Sequence, residues 1–302
     1  MLVVVALGGN ALLRRGEALT AESQDRNVRE AARVLAPLAA EHELVVTHGN
    51  GPQVGLLALQ TEAIEDAPSY PLDVLGAETE GMIGYLLARE LRGSVQNQEV
   101  ATLLTQVEVD PSDAAFQSPS KPIGPSYPAS RASELAEDRG WTFVEESKGG
   151  FRRVVPSPEP QAILEVEVIR LLVSAGVLVT CAGGGGIPVA RSADGTLYGV
   201  EAVVDKDLAS GLLAARLGAD FLLLLTDQPG VYADWPEPAA QLVENTTVEA
   251  LRGCTFEKGT MGPKVEAACR FVASTRGSAA IGELSDAAKI LDGNAGTRIS
   301  LG

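Results

Sequence analysis

Residues 203–211 read V-V-D-K-D-L-A-S-G, which sets a lysine between two aspartates where an apolar segment meets an alanine- and leucine-rich one. Glu201 to Val204 is expected to form a strand ending at Asp205. Leu208, Leu212, Leu213 and Ala215 then recur at helical spacing, so Asp205, Lys206 and Asp207 fall on a strand-to-helix turn. In open α/β sheets, ligands bind at turns of this kind, outside the carboxyl ends of the strands. Taken alone, the nonapeptide also fits an N-cap aspartate followed by a solvated lysine. Its neighbours along the chain bear on the choice.

Moving outward, the same device recurs. Met1 to Leu7 is a continuous apolar run, as expected of a strand buried on both faces of a parallel sheet, and it ends in Gly8-Gly9-Asn10. Glycines there let backbone N–H groups approach an anion, and Ala11, Leu12 and Leu13 would open a helix whose dipole favours the same charge. Glu43 to Thr47 is a second strand, running into His48-Gly49-Asn50-Gly51-Pro52. Parallel strands place such loops along one edge, which favours a shared anion site over two unrelated turns. His48, at a strand end, is read as a hydrogen-bonding spacer and not as a general base.

Val177 to Thr180 is another buried strand and ends in Cys181-Ala182 followed by four glycines, 183–186. Consecutive glycines cost entropy and contribute no packing, so this loop is expected to lie against a ligand. Phe221 to Leu225 is the most hydrophobic strand, followed by Thr226-Asp227-Gln228-Pro229-Gly230-Val231-Tyr232. Gly259 to Lys264 precedes an expected helix from Val265 to Val272, and a lysine at a helix N-terminus opposes the dipole unless an anion sits between them.

The remaining segments supply the scaffold. Val28, Ala31, Ala32, Leu35, Leu38 and Ala39 mark one face of a helix in which Pro37 predicts a kink or break. Leu72 to Leu91 is a helix with small residues Gly76, Gly81 and Gly84, able to pack on the sheet or on a second subunit. From Asp110 to Pro128 five prolines replace the apolar periodicity, and Lys121 is held between rigid turns in S-K-P-I-G-P. A helix from Ser130 to Arg139 and a hairpin, Trp141 to Val144 with Phe151 to Val155 across Ser147 to Gly150, complete a protruding subdomain. Ile163, Val166, Ile169, Leu172 and Val173 mark a further helix capped by Gly176, and Ala279 to Ile290 with Gly293 to Ile299 close the chain as strand, helix and strand.

Composition limits the partners. The 302 residues are 45% hydrophobic and 21% charged with 32 glycines, enough for a large core of closely packed helices on a sheet. A net charge of −16 argues against sequence-independent binding to nucleic acid or an anionic membrane, so any positive charge for an anionic substrate must be local. Cys181, Cys254 and Cys269 are scattered without metal-ligand spacing and read as buried thiols of a reducing cytoplasm. Leu2 to Leu7 is too short for a signal core or a membrane span.

Strands alternating with helices indicate an α/β fold with a largely parallel central sheet and helices on both faces. Glycine loops and three lysines, Lys121, Lys206 and Lys264, are expected at one edge. Such a set suits a transferring phosphoryl group, which asks for positioning and neutralisation of spread negative charge. No G-x-G-x-x-G follows a strand, and Gly259 to Lys264 lacks P-loop spacing, so a Rossmann dehydrogenase or P-loop kinase is not expected.

The segments A-L-G-G-N-A-L-L (6–13), T-H-G-N-G-P-Q-V-G (47–55), L-D-V-L-G-A-E-T-E-G-M-I-G-Y (72–85), K-P-I-G-P (121–125), R-R-V-V-P-S-P-E-P (152–160), A-G-G-G-G-I-P-V (182–189), V-D-K-D-L-A-S (204–210) and M-G-P-K-V (261–265) resemble carbamate kinases, in order along the whole chain. Many relatives in the wider amino acid kinase superfamily carry a lysine just ahead of the first glycine pair, where this chain has Ala6; the V-D-K-D lysine resembles the carbamate kinase alternative.

The resemblance implies a three-layer sandwich, the amino acid kinase fold, as one domain over 1–302. Its acceptor lobe would span about 1–200, its nucleotide lobe about 201–302 and its protruding subdomain about 110–155. It implies reversible transfer between ATP and carbamate, giving ADP and carbamoyl phosphate, with Mg2+ held mainly by phosphates and water. Gly8, Gly9 and Asn10 would cradle the phosphoryl group and Gly49, Asn50 and Gly51 the carbamate. Lys206 and Lys264 would neutralise transferring oxygens, Asp207 orient both, and Lys121 reach the acceptor, while Thr226, Asp227, Val231, Tyr232 and Met261 form the nucleotide wall. A carboxylate-type acceptor is already ionised, so no general base is required. A cytoplasmic homodimer in arginine metabolism is also implied, without nucleic-acid or membrane partners. Where relatives often have an aromatic residue after K-P-I-G-P, this chain has Ser126 and then Tyr127. Two alternatives stay open: a sister kinase of another small carboxylate or phosphate, and a ligand sensor without turnover, against which Lys206, Asp207 and Lys264 together speak.

Overall fold

A strand apolar at every position buries both of its faces, and the first strand sits accordingly at the middle of the sheet. The computed structural model describes residues 1–14, 16–62, 70–146, 149–233, 240–256 and 260–302, with strands and helices numbered along the chain. In β1 (Leu2–Leu7), Val3, Val5 and Leu7 face one layer and Val4 and Ala6 the other. The central sheet has eight strands in the order β15 (Asn245–Thr247), β17 (Thr297–Ser300), β16 (Ser278–Glu283), β12 (Phe221–Thr226), β1, β2 (Glu43–His48), β9 (Leu178–Thr180) and β3 (Val100–Thr102). Every pairing is parallel except β16 with β17.

On one face, α2 (Ala21–Glu41), α4 (Leu72–Ser94) and α10 (Ala287–Leu291) bury Leu35, Leu87 and Ile290 against Val3, Val5 and Leu223. On the other, α6 (Val166–Ser174), α7 (Lys206–Leu217) and α9 (Met261–Thr275) bury Ile169, Leu213 and Phe271 against Val4 and Leu222, with α8 (Val248–Arg252) beside α9. Each such side chain contributes roughly 1.5–3 kcal/mol on burial. The three layers are those of the amino acid kinase fold.

Register positions the site. Leu7 stands opposite both His48 and Leu225, so the loops leaving β1, β2 and β12 emerge side by side at one edge. From there the chain enters α1 (Gly9–Leu12), a single turn too short to carry the dipole expected of it, and α3 (Gly51–Glu62).

A second sheet, β11 (Leu197–Gly199), β10 (Ile187–Arg191), β4 (Gln106–Val109) and β8 (Pro160–Ile163), flanks the first. A third contains β5 (Lys121–Tyr127), β7 (Phe151–Val155) and β6 (Thr142–Glu145), with α5 (Ala129–Arg139) packing Ala132 and Leu135 on Tyr127. A short hairpin pairs β13 (Tyr232–Ala233) with β14 (Gln241–Leu242).

Several expectations are corrected. Residues 201–204 form no strand, because their backbone bonds go singly, Val203 N–H to the Pro156 carbonyl among them, and not along a ladder. Pro37 does not break α2: it falls near the last turn, and Leu35, Leu38 and Ala39 hold that segment on the sheet. Lys121 to Pro125 is strand and not loop, its prolines tolerated because β5 is an edge strand with an irregular register between Ile123 and Ser126. Ile163 belongs to β8 and not to the helix after it, whose end is followed by Gly176 in the left-handed region at φ 79°. Lys264 lies inside α9 and not ahead of it. Ser147 in the hairpin connection and Gly259 before α9 lie outside the described residues. Among those described, no helix is long and apolar enough to cross a membrane.

Candidate active site

Glycine is required at the strand ends for close approach. The Gly8 N–H donates to the Leu225 carbonyl at 2.9 Å, and a Cβ on Gly8 would stand 2.8 Å from that oxygen and 3.6 Å from Thr226 Cα. A Cβ on Gly49 would stand 3.2 Å from the Gly9 nitrogen and 3.5 Å from Lys206 Cδ. The first two strand-end loops and the lysine of the V-D-K-D turn therefore adjoin. At Gly9 and Gly51 a Cβ would meet nothing within 4 Å, so these two glycines border open space. The side chain of Asn10 lies outside the described residues.

At the turn, Asp205 is the N-cap of α7, its Oδ1 accepting from the Asp207 N–H at 2.9 Å and the Leu208 N–H at 3.3 Å. Its Oδ2 accepts from Lys121, which thereby ties the edge strand β5 to the turn. Lys206 Nζ donates to Asp207 Oδ1 at 2.5 Å and Lys264 Nζ to Asp207 Oδ2 at 3.0 Å. Lys264 also reaches the Thr260 carbonyl at 3.3 Å. Lys206, Asp207 and Lys264 are all buried, so two ammonium groups share one carboxylate under little solvent. That leaves local positive charge in a chain of net charge −16.

Burial would raise the Asp207 carboxyl, but the charges of Lys206 and Lys264 and their hydrogen bonds hold it well below the usual carboxylate range. Burial pushes Lys206 down and Lys264 adds to that, while Asp207 opposes it. His48 is brought down to about 4, mainly by burial, and is a neutral imidazole whose Nδ1 lies 3.3 Å from the Gly49 carbonyl oxygen.

Asn50 is 4% exposed, and its Nδ2 donates to Thr79 Oγ1 at 2.8 Å. The amide fixes the loop to α4. The four glycines lie against protein: a Cβ on Gly183 would be 2.3 Å from His48 Nε2, on Gly184 2.1 Å from Asn50 Nδ2, and on Gly185 2.3 Å from the Val204 carbonyl oxygen. Their need for glycine is explained by this interlock of strand-end loops.

Thr226 ends β12, with Oγ1 3.3 Å from Asp227 Oδ1; Tyr232 opens β13 and Met261 opens α9. Val231 is buried, its N–H donating to Thr297 Oγ1 at 2.7 Å and its carbonyl accepting from Val243. Its side chain belongs to the core cluster against which Met261 packs.

The structure thus gathers Gly8, Gly9, Gly49, Lys206, Asp207 and Lys264, with Lys121 joined through Asp205. Sequence reasoning missed Thr79, Glu80 and Thr105, which hold the loops from behind. The signal was present: Thr79 and Glu80 fall on the same buried stripe of α4 as Leu72, Leu75, Ile83 and Leu87.

The amino acid kinase family model matches residues 1–282. The chain is 53% identical over 304 residues to a carbamate kinase of Rhizobium meliloti (strain 1021), covering 99% of this chain and 93% of that protein. It is 51% identical over 302 residues to a carbamate kinase of Haemophilus influenzae (strain ATCC 51907 / DSM 11121 / KW20 / Rd), covering 99% and 97%. The solved structure of carbamate kinase from Giardia lamblia bound to AMP-PNP superposes with a TM-score of 0.90 at 38% identity, covering 100% of this chain and 98% of that one.

Proposed function

The chain belongs to the carbamate kinases of the amino acid kinase family, and from that premise we propose that it moves a phosphoryl group reversibly between ATP and carbamate, giving ADP and carbamoyl phosphate. The observation that carries the proposal is Asp207 holding Lys206 and Lys264 on its two oxygens, beside the Gly8–Gly9 and Gly49 loops. In the forward direction a carbamate oxygen bonds to the γ-phosphorus while the bond to the β-γ bridging oxygen breaks, and ADP leaves. Negative charge spreads over the transferring oxygens, and the two ammonium groups neutralise it without reorganising. Asp207 keeps both in place and takes no proton. Carbamate arrives ionised, so the step needs no base, and His48, buried and neutral, is not asked to be one.

Gly8 and Gly9, with Asn10, cradle the phosphoryl group; Gly49 and Gly51 border the acceptor and Asn50 braces their loop. Lys121 reaches the acceptor side by exchanging its Asp205 partner for substrate. Thr226, Asp227, Tyr232 and Met261 receive the nucleotide, with Val231 behind them. Magnesium would neutralise the nucleotide's phosphates. Its fit here rests on the hydroxyl of Thr226 and the carboxylate of Asp227 beside the Gly8 turn, the ion itself being held mainly by phosphates and water. We assign residues of about 1–200 to the acceptor lobe, about 201–302 to the nucleotide lobe and about 110–155 to the protruding subdomain. Two chains pair through the α4 face, where Tyr85 and the neighbouring Leu104 are 62% and 52% exposed. A reducing cytoplasm suits the free thiols of Cys181 and Cys269, buried as expected, and of Cys254, which is exposed and not buried as expected.

The test is ATP formation from ADP and magnesium with carbamoyl phosphate, acetyl phosphate or acetylglutamyl phosphate as donor. Magnesium-dependent ATP from carbamoyl phosphate alone is expected. Nucleotide binding with ATP formed only from another donor would move the acceptor to a sister kinase, and no ATP from any donor would leave a sensor.

A further inference from the structure

Glu80 is a carboxyl group in the protein interior, 1% exposed, that the transfer chemistry does not use. Its Oε1 accepts from the Gly183 N–H at 2.8 Å and its Oε2 from the Thr105 N–H at 3.1 Å. Thr105 Oγ1 in turn accepts from the Ala182 N–H at 2.9 Å. One side chain of α4 therefore fastens the connection after β3 to the glycine loop after β9. The loop it fastens abuts Asn50 through Gly184 and the residue before Asp205 through Gly185. A shift at Gly183 would be passed on to both the acceptor loop and the turn that carries Lys206.

His48 stands against the same place. A Cβ on Gly183 would be 2.3 Å from His48 Nε2 and 2.9 Å from Glu80 Cγ, so the two side chains share the space a larger residue would fill. With Nδ1–H directed to the Gly49 carbonyl, Nε2 presents a lone pair, and among the described residues it has no hydrogen-bond partner. We propose that Glu80 is a positioning residue for phosphoryl transfer, clamping the glycine loop as a neutral carboxylic acid beside the neutral His48. This rests on the carbamate kinase reading above.

The surroundings support the neutral form. Burial pushes Glu80 up to about 8 against the Thr105 and Gly183 backbone hydrogen bonds and the Thr105 side chain, and Glu165 adds to the rise. Cys181, kept a thiol by burial and by Glu80 and Glu165, offers no cation, and Lys206 faces His48 and disfavours its protonation. Ionising Glu80 would place a buried negative charge beside an imidazole lone pair, while Lys206, the ammonium that faces His48, is paired with Asp207.

The test compares wild type with Glu80→Gln and Glu80→Ala, by initial rates of ATP formation from ADP and carbamoyl phosphate over pH 6–10 and by amide hydrogen exchange without substrate. Glutamine is permanently neutral and keeps an acceptor oxygen for one of the two backbone amides, its NH2 group facing the other. We expect Glu80→Ala to lower kcat about 10- to 100-fold with the KM for ADP nearly unchanged, the cost of a small misplacement of reacting groups. We expect Glu80→Gln to stay within about threefold at pH 7 and to lose a fall in kcat that wild type shows near pH 8. The Gly183 and Thr105 amides are expected to exchange at least about tenfold faster in Glu80→Ala, a readout that needs no turnover. Wild-type kcat in Glu80→Ala, an unchanged alkaline limb in Glu80→Gln, or unchanged exchange at both amides would each overturn the proposal. Failure of wild type to form ATP from carbamoyl phosphate would instead overturn the function it rests on.

Discussion

Asp207 and Lys264 meet across 57 residues of chain, Nζ to Oδ2 at 3.0 Å, while the other oxygen of Asp207 holds the lysine next to it in sequence. One carboxylate thereby sets the spacing of two ammonium groups that would otherwise repel. Asp207→Asn removes the charge that holds them. Unpairing buried ammonium groups is expected to cost about 3–5 kcal/mol and to lower kcat by ~10² or more. Urea denaturation and steady-state rates check the two parts separately.

Asp205 does two jobs with two oxygens, capping α7 and holding Lys121. Asparagine retains an acceptor for the cap, whereas alanine retains neither function. Asp205→Ala is expected to lose about 1–2 kcal/mol and Asp205→Asn only a few tenths in urea titrations. A KM change for carbamoyl phosphate common to both variants would then report on Lys121.

The glycines separate into those that pack and those that border the site. Gly184 has φ +70° and a Cβ there would be 2.1 Å from Asn50 Nδ2, so Gly184→Ala is expected to cost about 2 kcal/mol or more. Gly51→Ala meets nothing within 4 Å and sits in the first turn of α3, where alanine suits a helix. Its stability is expected to stay within about 0.5 kcal/mol of wild type while kcat/KM falls at least about tenfold, as thermal melts and rates would show.

Two buried groups give stability a defined pH dependence. His48 is lowered to about 4 from 6.5, so its contribution is present above pH 6.5 and is lost as pH falls through 4. Glu80 is raised to about 8 from 4.5, so its contribution is present below pH 4.5 and is lost as pH rises through 8. Between pH 4.5 and 6.5 the two slopes oppose, and from about 6.5 to 8 only the Glu80 loss remains, at up to about 1.4 kcal/mol per pH unit. Urea midpoints are expected to fall over that upper range in wild type and to stay level in Glu80→Gln.

What could be read from the chain was what repeats and what is local. Uninterrupted apolar runs such as Leu2–Leu7 and Phe221 to Leu225 announce doubly buried parallel strands, and glycine loops after them mark the edge where the candidate site gathers. The lysines and Asp207 were legible because charge at a strand-to-helix turn is costly unless used. Partners distant in sequence were not legible. Lys121 ends on Asp205 across 84 residues, and Glu80 reaches Gly183 across 103, contacts that exist only once the sheet orders its strands. Val231 follows Thr226 and Asp227 closely in sequence, but the partner of its N–H, the Thr297 hydroxyl on a distant strand, could not be read from the chain. Pro122 and Pro125 suggested turns because edge-strand position cannot be seen without the pairing.

The proposed transfer depends on Lys206 and Lys264 neutralising the transferring phosphoryl group. The direct measurement is the initial rate of ATP formation from ADP, magnesium and carbamoyl phosphate by wild type, Lys206→Ala and Lys264→Ala, with ADP binding and thermal melting measured on each. The account predicts that each variant folds and binds ADP but turns over ~10² or more slower than wild type. A folded Lys206→Ala or Lys264→Ala protein with wild-type turnover would contradict it.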